Sequence, residues 1–241
     1  MNLKGAPNFR DLGGLRNAQG RALRPGRVFR SDHLGALTDD DIAVLQRHHG
    51  QWRVLDFRGV VERTTAPCVI PQARVHSLSI EPTVVQRLSG LLDAGRDISA
   101  EHTAELMRET YRAFVEHNTP RFAEFFAHLL QGDDAPLIFH CTAGKDRTGL
   151  ASALLLHALE VPEAAIWQDY LLTNDRLRER TRLASALPEP VAHVLHRVQP
   201  DFLQAALDTM QSRHGGLDAY LREALKVGAA ERKELAARLL G

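Results

Sequence analysis

Residues 136–159 read as a short apolar strand, a tight loop and a helix, and they constrain the fold more than any other segment. Pro136-Leu-Ile-Phe139 has the pattern of a buried strand, and the stretch from Gly149 to Leu159 is rich in alanine and leucine. A strand that passes through a loop into a helix is typical of an α/β domain. Such a loop brings backbone N–H groups and a helix N-terminus together, which favours the binding of an anion.

The loop itself, His140-Cys-Thr-Ala-Gly-Lys-Asp-Arg-Thr148, carries the side chains of nucleophilic phosphoryl transfer. The positive end of a helix favours the thiolate form of Cys141, which is the nucleophilic form of a thiol. The planar guanidinium group of Arg147 can hold two phosphate oxygens and follow their charge into the transition state. The pattern therefore predicts Cys141 as the nucleophile and Arg147 as the cation that stabilises the transition state.

The other loop residues have supporting roles in this interpretation. The residues expected to bind phosphate are Thr142, Ala143, Gly144, Lys145, Asp146 and Arg147. Gly144 allows close approach of the backbone to phosphate, Thr148 offers its hydroxyl to the sulfur, and His140 holds the loop backbone and tunes the thiol. Lys145 is expected at the mouth of the site, where it either favours a substrate with a second phosphate or is simply an exposed lysine.

Three alternatives compete with this interpretation. Cys141 could be a buried inert thiol, the chain could bind phosphorylated ligands without turnover, or it could be another thiol enzyme such as a sulfurtransferase or an arsenate reductase. The presence of both Cys141 and Arg147 favours an active enzyme, and Cys68 is far from Cys141 in the sequence for a resolving thiol. A Walker A loop is excluded because Phe139 replaces its first glycine and Asp146 follows the lysine.

The composition excludes several classes of function. Thirty basic and thirty acidic side chains balance, so no global charge attracts nucleic acid or an anionic membrane. The two cysteines suit a reducing compartment, and no apolar run approaches the roughly 20 residues of a membrane span. We therefore expect a cytoplasmic protein without stable membrane insertion, although export without a signal peptide and the oligomeric state stay open. The histidines form no metal-binding pattern, and phosphocysteine chemistry needs neither a metal nor another cofactor.

The strand signals lie early in the chain and the helix signals mostly late. The predicted strands are Val28–Arg30, Arg53–Phe57, Arg74–Leu78 and Pro136–Phe139. Helix signals are a start at Thr38 with a stop at Gly50, a start at Asn118, and helical sequence from Pro162 onward with a late apolar stripe. The helix after Asn118 should bury the apolar face formed by Phe122, Phe125, Phe126, Leu129 and Leu130. The order predicts an α/β fold, a central sheet flanked by helices with a helix-rich C-terminal half.

The Cys-x5-Arg signature resembles that of the protein tyrosine phosphatase superfamily, and the fuller loop is similar to bacterial tyrosine and phosphoinositide phosphatases with a Gly-Lys-Asp-Arg loop. Further motifs follow that family's order: Asn8-Phe-Arg-Asp-Leu-Gly-Gly14, Arg30-Ser-Asp32, Asp56-Phe-Arg58 with Glu62-Arg63, Asp169-Tyr-Leu-Leu-Thr-Asn174 and Gly216-Leu-Asp-Ala-Tyr-Leu221. The resemblance implies one phosphatase domain over residues 1–241, a phosphotyrosine-phosphatase-like fold with a mostly parallel sheet, and a helical lid within 81–105. It implies phosphorylated protein or phosphoinositide substrates, with phosphotyrosine and possible phosphoserine or phosphothreonine activity.

The general acid is the least determined part of the mechanism. Expulsion of the leaving oxygen needs a proton donor, and the chain has no Trp-Pro-Asp tripeptide because its two tryptophans are followed by Arg and Gln. The resembled family places an aspartate inside the loop, which is Asp146 here, with loop bracing as its alternative role. Asp56 is the rival acid, at the end of a strand expected to run parallel to 136–139, and its alternative role is to anchor Arg58 or the loop.

Other polar residues have simpler interpretations. Arg10 and Asp11 lie either near the pocket or in a turn salt bridge, and Arg58 and Glu62 have the spacing of an i, i+4 helix pair. Cys68 is most simply an unrelated thiol.

Overall fold

The five strands form one sheet in a computed structural model that describes residues 1–81, 98–178 and 187–241. The strands are β1 (Arg10–Asp11), β2 (Val28–Ser31), β3 (Arg53–Asp56), β4 (Arg74–Ser77) and β5 (Leu137–His140). Their order across the sheet is β1-β2-β5-β3-β4, and β1 alone is antiparallel to its neighbour. The predicted mostly parallel central sheet is confirmed.

The helices are concentrated in the C-terminal half, as predicted. They are α1 (Asp39–His48), α2 (Val60–Thr65), α3 (Ala100–His117), α4 (Thr119–Leu130), α5 (Arg147–Ala158), α6 (Glu163–Arg176), α7 (Glu189–Leu195), α8 (Pro200–His214) and α9 (Ala229–Leu239). Within the described ranges, no helix is both long and apolar enough to cross a membrane. Of the segment 81–105 that was predicted to contain a lid, residues 82–97 lie outside the described residues. Residues 100–105 form the start of α3.

The central strand β5 separates two apolar layers, because successive side chains of a strand point to opposite faces. On one face Ile138 joins the cluster that contains Phe29 and Trp52, whose rings are 5.2 Å apart. On the other face Phe139 contacts Phe125 of α4 with ring centroids 5.0 Å apart. A strand buried on both faces gives the loop that follows it a rigid base.

Local sequence signals account for the helix boundaries. The Thr38 hydroxyl accepts from the Asp41 N–H at 3.2 Å and closes a capping box at the start of α1. Helix α4 begins after Asn118, and its predicted apolar face is buried except for Leu130, which is half-buried. Helix α5 begins at Arg147, two residues before the predicted start.

The late apolar stripe (Leu217, Tyr220, Leu221, Ala224 and Leu225) is buried except for the half-buried Leu217 and Ala224, but its helix is not a regular α-helix. A short helix at Leu217–Ala219 widens into a π-helical turn at Tyr220–Ala224, where the Leu225 N–H donates to the Tyr220 carbonyl at 3.1 Å. The widened turn still places Tyr220, Leu221 and Leu225 in the core.

The register of the sheet determines where the Cys loop lies. Ser31 of β2 and Asp56 of β3 are both paired with His140, the last residue of β5. Three parallel strands therefore end at the same level, and the segments that follow them, beginning at Asp32, Phe57 and Cys141, meet at the carboxyl edge of the sheet. Ligands of open α/β sheets bind at this edge.

Candidate active site

The backbone carbonyls of the Cys loop are turned outward. Four consecutive carbonyls accept hydrogen bonds from the surrounding protein: Cys141 from His140 Nδ1 at 3.1 Å, Thr142 from the His33 N–H at 3.0 Å, Ala143 from Asn8 Nδ2 at 2.8 Å, and Gly144 from Asn8 Nδ2 at 3.0 Å and Arg30 Nη2 at 2.8 Å. In a planar trans peptide the N–H points opposite to the C=O. The N–H groups of residues 142–145 therefore point inward, and no hydrogen-bond acceptor is assigned to them among the described residues. The loop presents a set of backbone donors to an anion.

The backbone conformation of Gly144 and its contact on the outer side of the loop both require glycine. Its φ is +64°, and a Cβ built there would lie 2.3 Å from the Ser31 carbonyl oxygen. The left-handed conformation and the contact with β2 together favour glycine. The predicted reason, close approach to phosphate on the inner side, is therefore replaced by close packing against the neighbouring strand.

Cys141 begins the loop and Arg147 ends it at the first residue of α5. The Cys141 side chain is buried, with the residue only 2% exposed. Burial alone would lower the pKa of Arg147, but the hydrogen bonds that it donates to Glu62 and the charges of Cys141, Glu62 and Asp146 raise it above its ordinary value. The Thr148 hydroxyl is also buried and has no hydrogen-bond partner within the described part of the chain. Its predicted contact with the sulfur stays a prediction.

The guanidinium group of Arg147 is held on one side, which leaves another edge for a ligand. Nη1 donates to Glu62 Oε2 at 2.7 Å, to the Ile80 carbonyl at 2.8 Å and to the Phe57 carbonyl at 3.3 Å, and Nη2 donates to Glu62 Oε1 at 2.9 Å. The Nε–H and the second Nη2–H have no assigned acceptor in the described ranges. These two donors are parallel and adjacent, the arrangement that binds two oxygens of one phosphate.

Glu62 is a site residue that sequence reasoning missed. Burial would raise the pKa of Glu62, but the hydrogen bond and charge of Arg147, the Thr142 hydroxyl and the Gly59 N–H lower it to about 2. Glu62 is therefore ionised at neutral pH and links Arg147 to the loop residue Thr142. The i, i+4 pair predicted with Arg58 is wrong, because Arg58 reaches only the backbone carbonyl of Glu62.

Asp56 anchors Arg58, one of the alternatives considered for it. Arg58 Nε lies 2.9 Å from Asp56 Oδ1 and Arg58 Nη2 lies 2.7 Å from Oδ2. Burial would raise the pKa of Asp56, but His140 and Arg58 lower it. An ionised carboxylate cannot donate a proton, so this geometry does not favour Asp56 as the general acid. Burial lowers the pKa of His140 to about 4, so its ring is neutral and its Nδ1–H can hold the Cys141 carbonyl.

Asp146 is held at both oxygens inside the loop and is partly open to solvent. Tyr111 donates its hydroxyl to Asp146 Oδ1 at 3.0 Å, and the Lys145 ammonium lies 3.3 Å from Oδ2. The Asp146 side chain is 23% exposed, whereas Lys145 beside it is 5% exposed. Asp146 is thus a carboxyl group within the Cys loop that a ligand can reach.

The prediction that Lys145 faces the mouth of the site is wrong. Its ammonium group donates to the Leu195 carbonyl at 2.7 Å and to the Arg197 carbonyl at 3.2 Å, at the C-terminal end of α7. Carbonyls at the end of a helix attract a cation. Lys145 therefore connects the loop to the segment after α7, and it is neither an exposed lysine nor a second phosphate contact in this arrangement.

A buried ion network supports the loop from below. Asp169 of α6 accepts from Arg10 Nε at 2.8 Å and from Arg30 Nη1 at 2.5 Å, so two guanidinium groups share one carboxylate and leave one net positive charge. Burial and the charge of Arg30 lower the pKa of Arg10 to about 10, whereas the two arginines lower that of Asp169 to about 2 against its burial. Arg30 extends from this network to the Gly144 carbonyl. The network places positive charge directly behind the inward N–H groups.

Residues 1–241 match the model of a sequence family that is described as the tyrosine phosphatase family. The chain belongs to this family. A relative from Cupriavidus necator is 34% identical over 233 residues, which cover 93% of this chain and 83% of the relative. The triple specificity protein phosphatase PtpB of Mycobacterium tuberculosis is 31% identical over 261 residues, covering 92% of each chain. A tyrosine-protein phosphatase of Nostoc commune is 29% identical over 233 residues, covering 90% of this chain and 76% of that one.

Membership in the phosphatase family agrees with the order of motifs along the chain. Asn8, Arg10, Arg30 and Asp169 come from three of these motifs, and the structure brings them together behind the loop. Asp11 instead accepts from the backbone N–H groups of Gly13 and Gly26. Among the described residues, no group of three or more His, Cys, Asp or Glu side chains is arranged to hold a metal ion.

Proposed function

We propose that this phosphatase hydrolyses phosphomonoesters through a phosphocysteine formed on Cys141, with residues 1–241 acting as one phosphatase domain. The observation that carries the proposal is that one short loop holds three groups that phosphoryl transfer needs. They are the inward N–H groups of residues 142–145, the Nε–H and Nη2–H donors of Arg147 that face away from Glu62, and the thiol of Cys141. This arrangement fits a tetrahedral phosphate above the sulfur.

The reaction has two steps in this geometry. The Cys141 thiolate attacks phosphorus, the S–P bond forms, and the P–O bond to the substrate breaks while Asp146 gives its proton to the leaving oxygen. Water then attacks phosphorus, the S–P bond breaks, and the Asp146 carboxylate takes up a proton from that water. Arg147 and the loop N–H groups bind the equatorial oxygens in both steps, and the Thr148 hydroxyl stabilises the departing sulfur.

Phosphotyrosine on proteins is the substrate class that the site supports best, and the protein is proposed to act on it in the cytoplasm. A buried nucleophile needs a long substrate side chain, and Cys141 is 2% exposed. The printed name of PtpB indicates three specificities for that relative, so phosphoserine or phosphothreonine and phosphoinositides are further candidates for this chain. The position of Lys145 offers no support for recognition of a second phosphate.

Hydrolysis of p-nitrophenyl phosphate by wild type, Cys141→Ser and Cys68→Ser tests the nucleophile. We expect Cys141→Ser to lose turnover while it still binds inorganic phosphate, because a neutral hydroxyl is a poor nucleophile at this position. Cys68→Ser is the matched control and should retain wild-type rates. Equal turnover in wild type and Cys141→Ser would remove Cys141 from the mechanism.

The assignment of Asp146 as the acid is tested with aryl phosphates whose leaving groups differ in basicity. In Asp146→Asn, kcat/KM should fall by roughly 100-fold or more for phosphotyrosine and much less for activated aryl phosphates, because only poor leaving groups need the proton. Asp134→Asn, an exposed aspartate, is the control. A uniform loss across the series would assign Asp146 to loop bracing.

A panel of phosphotyrosine, phosphoserine and phosphothreonine peptides with each phosphoinositide isomer tests the substrate class. The proposal expects the highest kcat/KM for phosphotyrosine peptides. A higher value for any phosphoinositide would reassign the substrate to the lipid headgroup.

A further inference from the structure

Two buried tyrosines lie hydroxyl to hydroxyl behind Asp146. Tyr111 of α3 donates to Asp146 Oδ1 at 3.0 Å, and the hydroxyl oxygens of Tyr111 and Tyr170 of α6 are 2.8 Å apart. Both residues are almost fully buried, at 0% and 1% exposure. A buried phenol hydroxyl needs a hydrogen-bond partner. Here the two hydroxyls are partners of each other, and the hydrogen bond that follows ends on a carboxyl group of the Cys loop.

The number of hydroxyl protons fixes the direction of the hydrogen bonds among Tyr170, Tyr111 and Asp146. A tyrosine hydroxyl donates one hydrogen bond, and the proton of Tyr111 is used on Asp146. The contact between the tyrosines must therefore use the proton of Tyr170, whose other acceptor, the Gln199 carbonyl, is more distant at 3.4 Å. The hydrogen bonds run from Tyr170 to Tyr111 to Asp146.

The charged and titratable groups that face Asp146 come from several elements. Lys145 and Arg147 are its neighbours in the loop and at the start of α5, Cys141 lies across the loop, and Tyr111 and Tyr170 approach from α3 and α6. Burial and the charge of Asp146 raise the pKa of both tyrosines well above the ordinary value, so both hydroxyls keep their protons at neutral pH.

We propose that Tyr111 is a positioning residue that orients the proton-donating carboxyl of Asp146, and that Tyr170 holds Tyr111 in place. The inference rests on the proposed function, in which Asp146 protonates the leaving group. While Oδ1 accepts the Tyr111 proton, the proton of a neutral Asp146 lies on Oδ2, the oxygen that also faces the Lys145 ammonium at 3.3 Å. The tyrosine therefore selects the oxygen that donates, and it keeps that oxygen in one orientation through both steps of the reaction.

The test compares Tyr111→Phe and Tyr170→Phe with Tyr220→Phe as the matched control. Tyr220 is equally buried, and its hydroxyl bonds to Thr119 at 2.9 Å, away from the loop. Each variant removes one buried hydroxyl and keeps the ring. The readouts are kcat/KM for a series of aryl phosphates with leaving groups of increasing basicity and the melting temperature of each variant.

Tyr111→Phe should lower kcat/KM roughly tenfold for phosphotyrosine and less than about twofold for an activated aryl phosphate, as expected for one hydrogen bond to a reacting carboxyl. Tyr170→Phe should act in the same direction with a smaller factor, and Tyr220→Phe should change only the melting temperature.

The Asp146→Asn background separates positioning from general loss of structure. If Tyr111 acts through Asp146, Tyr111→Phe adds no further loss of kcat/KM once the acid is absent. The same loss in both backgrounds, or a loss that is uniform across leaving groups, would overturn the role of Tyr111 and leave the proposed function intact. A wild type without hydrolysis would instead overturn the proposed function, and the role of Tyr111 with it.

Discussion

Replacing Glu62 with glutamine should weaken catalysis through Arg147, although Glu62 itself has no proposed contact with the substrate. The carboxylate holds Arg147 through two hydrogen bonds of 2.7 Å and 2.9 Å, and both side chains are largely buried. Glutamine keeps the size and one acceptor oxygen, but its amide nitrogen is a donor that faces a donor of the guanidinium group. One of the two charge-assisted bonds is therefore lost.

The expected magnitude follows from that single bond. A hydrogen bond to a charged group contributes roughly 1.5–3 kcal/mol, and each 1.4 kcal/mol corresponds to about a factor of ten. The upper bound is a loss of roughly 100-fold in kcat/KM, if the whole cost appears as misplacement of Arg147 in the transition state. The Ile80 and Phe57 carbonyls still hold Nη1 in the variant. We therefore expect the lower end, roughly tenfold.

The assay is kcat/KM for p-nitrophenyl phosphate, measured below the unfolding transition of each variant, together with the affinity for inorganic vanadate. Vanadate binding should weaken with kcat/KM, because Arg147 binds the oxygens of both. Glu223→Gln is the control, since Glu223 is 62% exposed and pairs with its neighbour Arg222. A Glu62→Gln enzyme whose kcat/KM stays within about threefold of wild type would refute the reasoning that Glu62 positions Arg147.

Three further predictions concern the loop and its support. Gly144→Ala should lower the melting temperature and kcat/KM, with a loss of more than about 1 kcal/mol in the free energy of unfolding. The reason is that φ is +64° and the new Cβ would lie 2.3 Å from the Ser31 carbonyl oxygen. Unchanged thermal unfolding would contradict this prediction. Asp169→Asn should cost about 3–5 kcal/mol at pH 7 in urea unfolding, since it leaves two buried guanidinium groups without a counter-charge. The folded-state pKa of Asp169 is lowered from 3.8 to about 2, so this difference from wild type should persist above pH 3.8 and shrink as pH falls toward 2. Burial lowers the pKa of His140 from 6.5 to about 4, so its contribution to stability should be lost as pH falls through that window; an equal slope in His140→Asn would contradict it.

The fold follows largely from local patterns in the sequence. The segments Arg53–Asp56 and Leu137–His140, each with an apolar centre, are strands buried on both faces. The Thr38 hydroxyl and the aspartates after it begin a helix at the predicted position. The strand–loop–helix at Cys141 depends on residues that are neighbours in the chain, so its local geometry was predictable. The π-helical turn at Tyr220–Ala224 was not predictable, because an apolar stripe does not distinguish a π-helix from an α-helix.

The second layer of the site was not predictable in the same way. Glu62 meets Arg147, Tyr111 meets Asp146, and Lys145 meets the end of α7, and each pair is joined only by the packing of distant segments. A charge at residue 145 looks the same in the sequence whether its ammonium faces solvent or the carbonyls of a helix end. The i, i+4 spacing of Arg58 and Glu62 was misleading for the same reason, since each side chain found a better partner outside the helix.

Direct detection of the phosphoenzyme tests the central claim. Asp146→Asn, mixed with an activated aryl phosphate and stopped in denaturant within one turnover, should accumulate the intermediate, because its formation no longer needs the acid and its hydrolysis lacks the base. Peptide mass spectrometry should then find one phosphoryl group on the peptide that contains Cys141, and none on that peptide in a Cys141→Ser version of the same variant. A phosphoryl group on another residue, or none at all while product forms, would contradict covalent catalysis by Cys141.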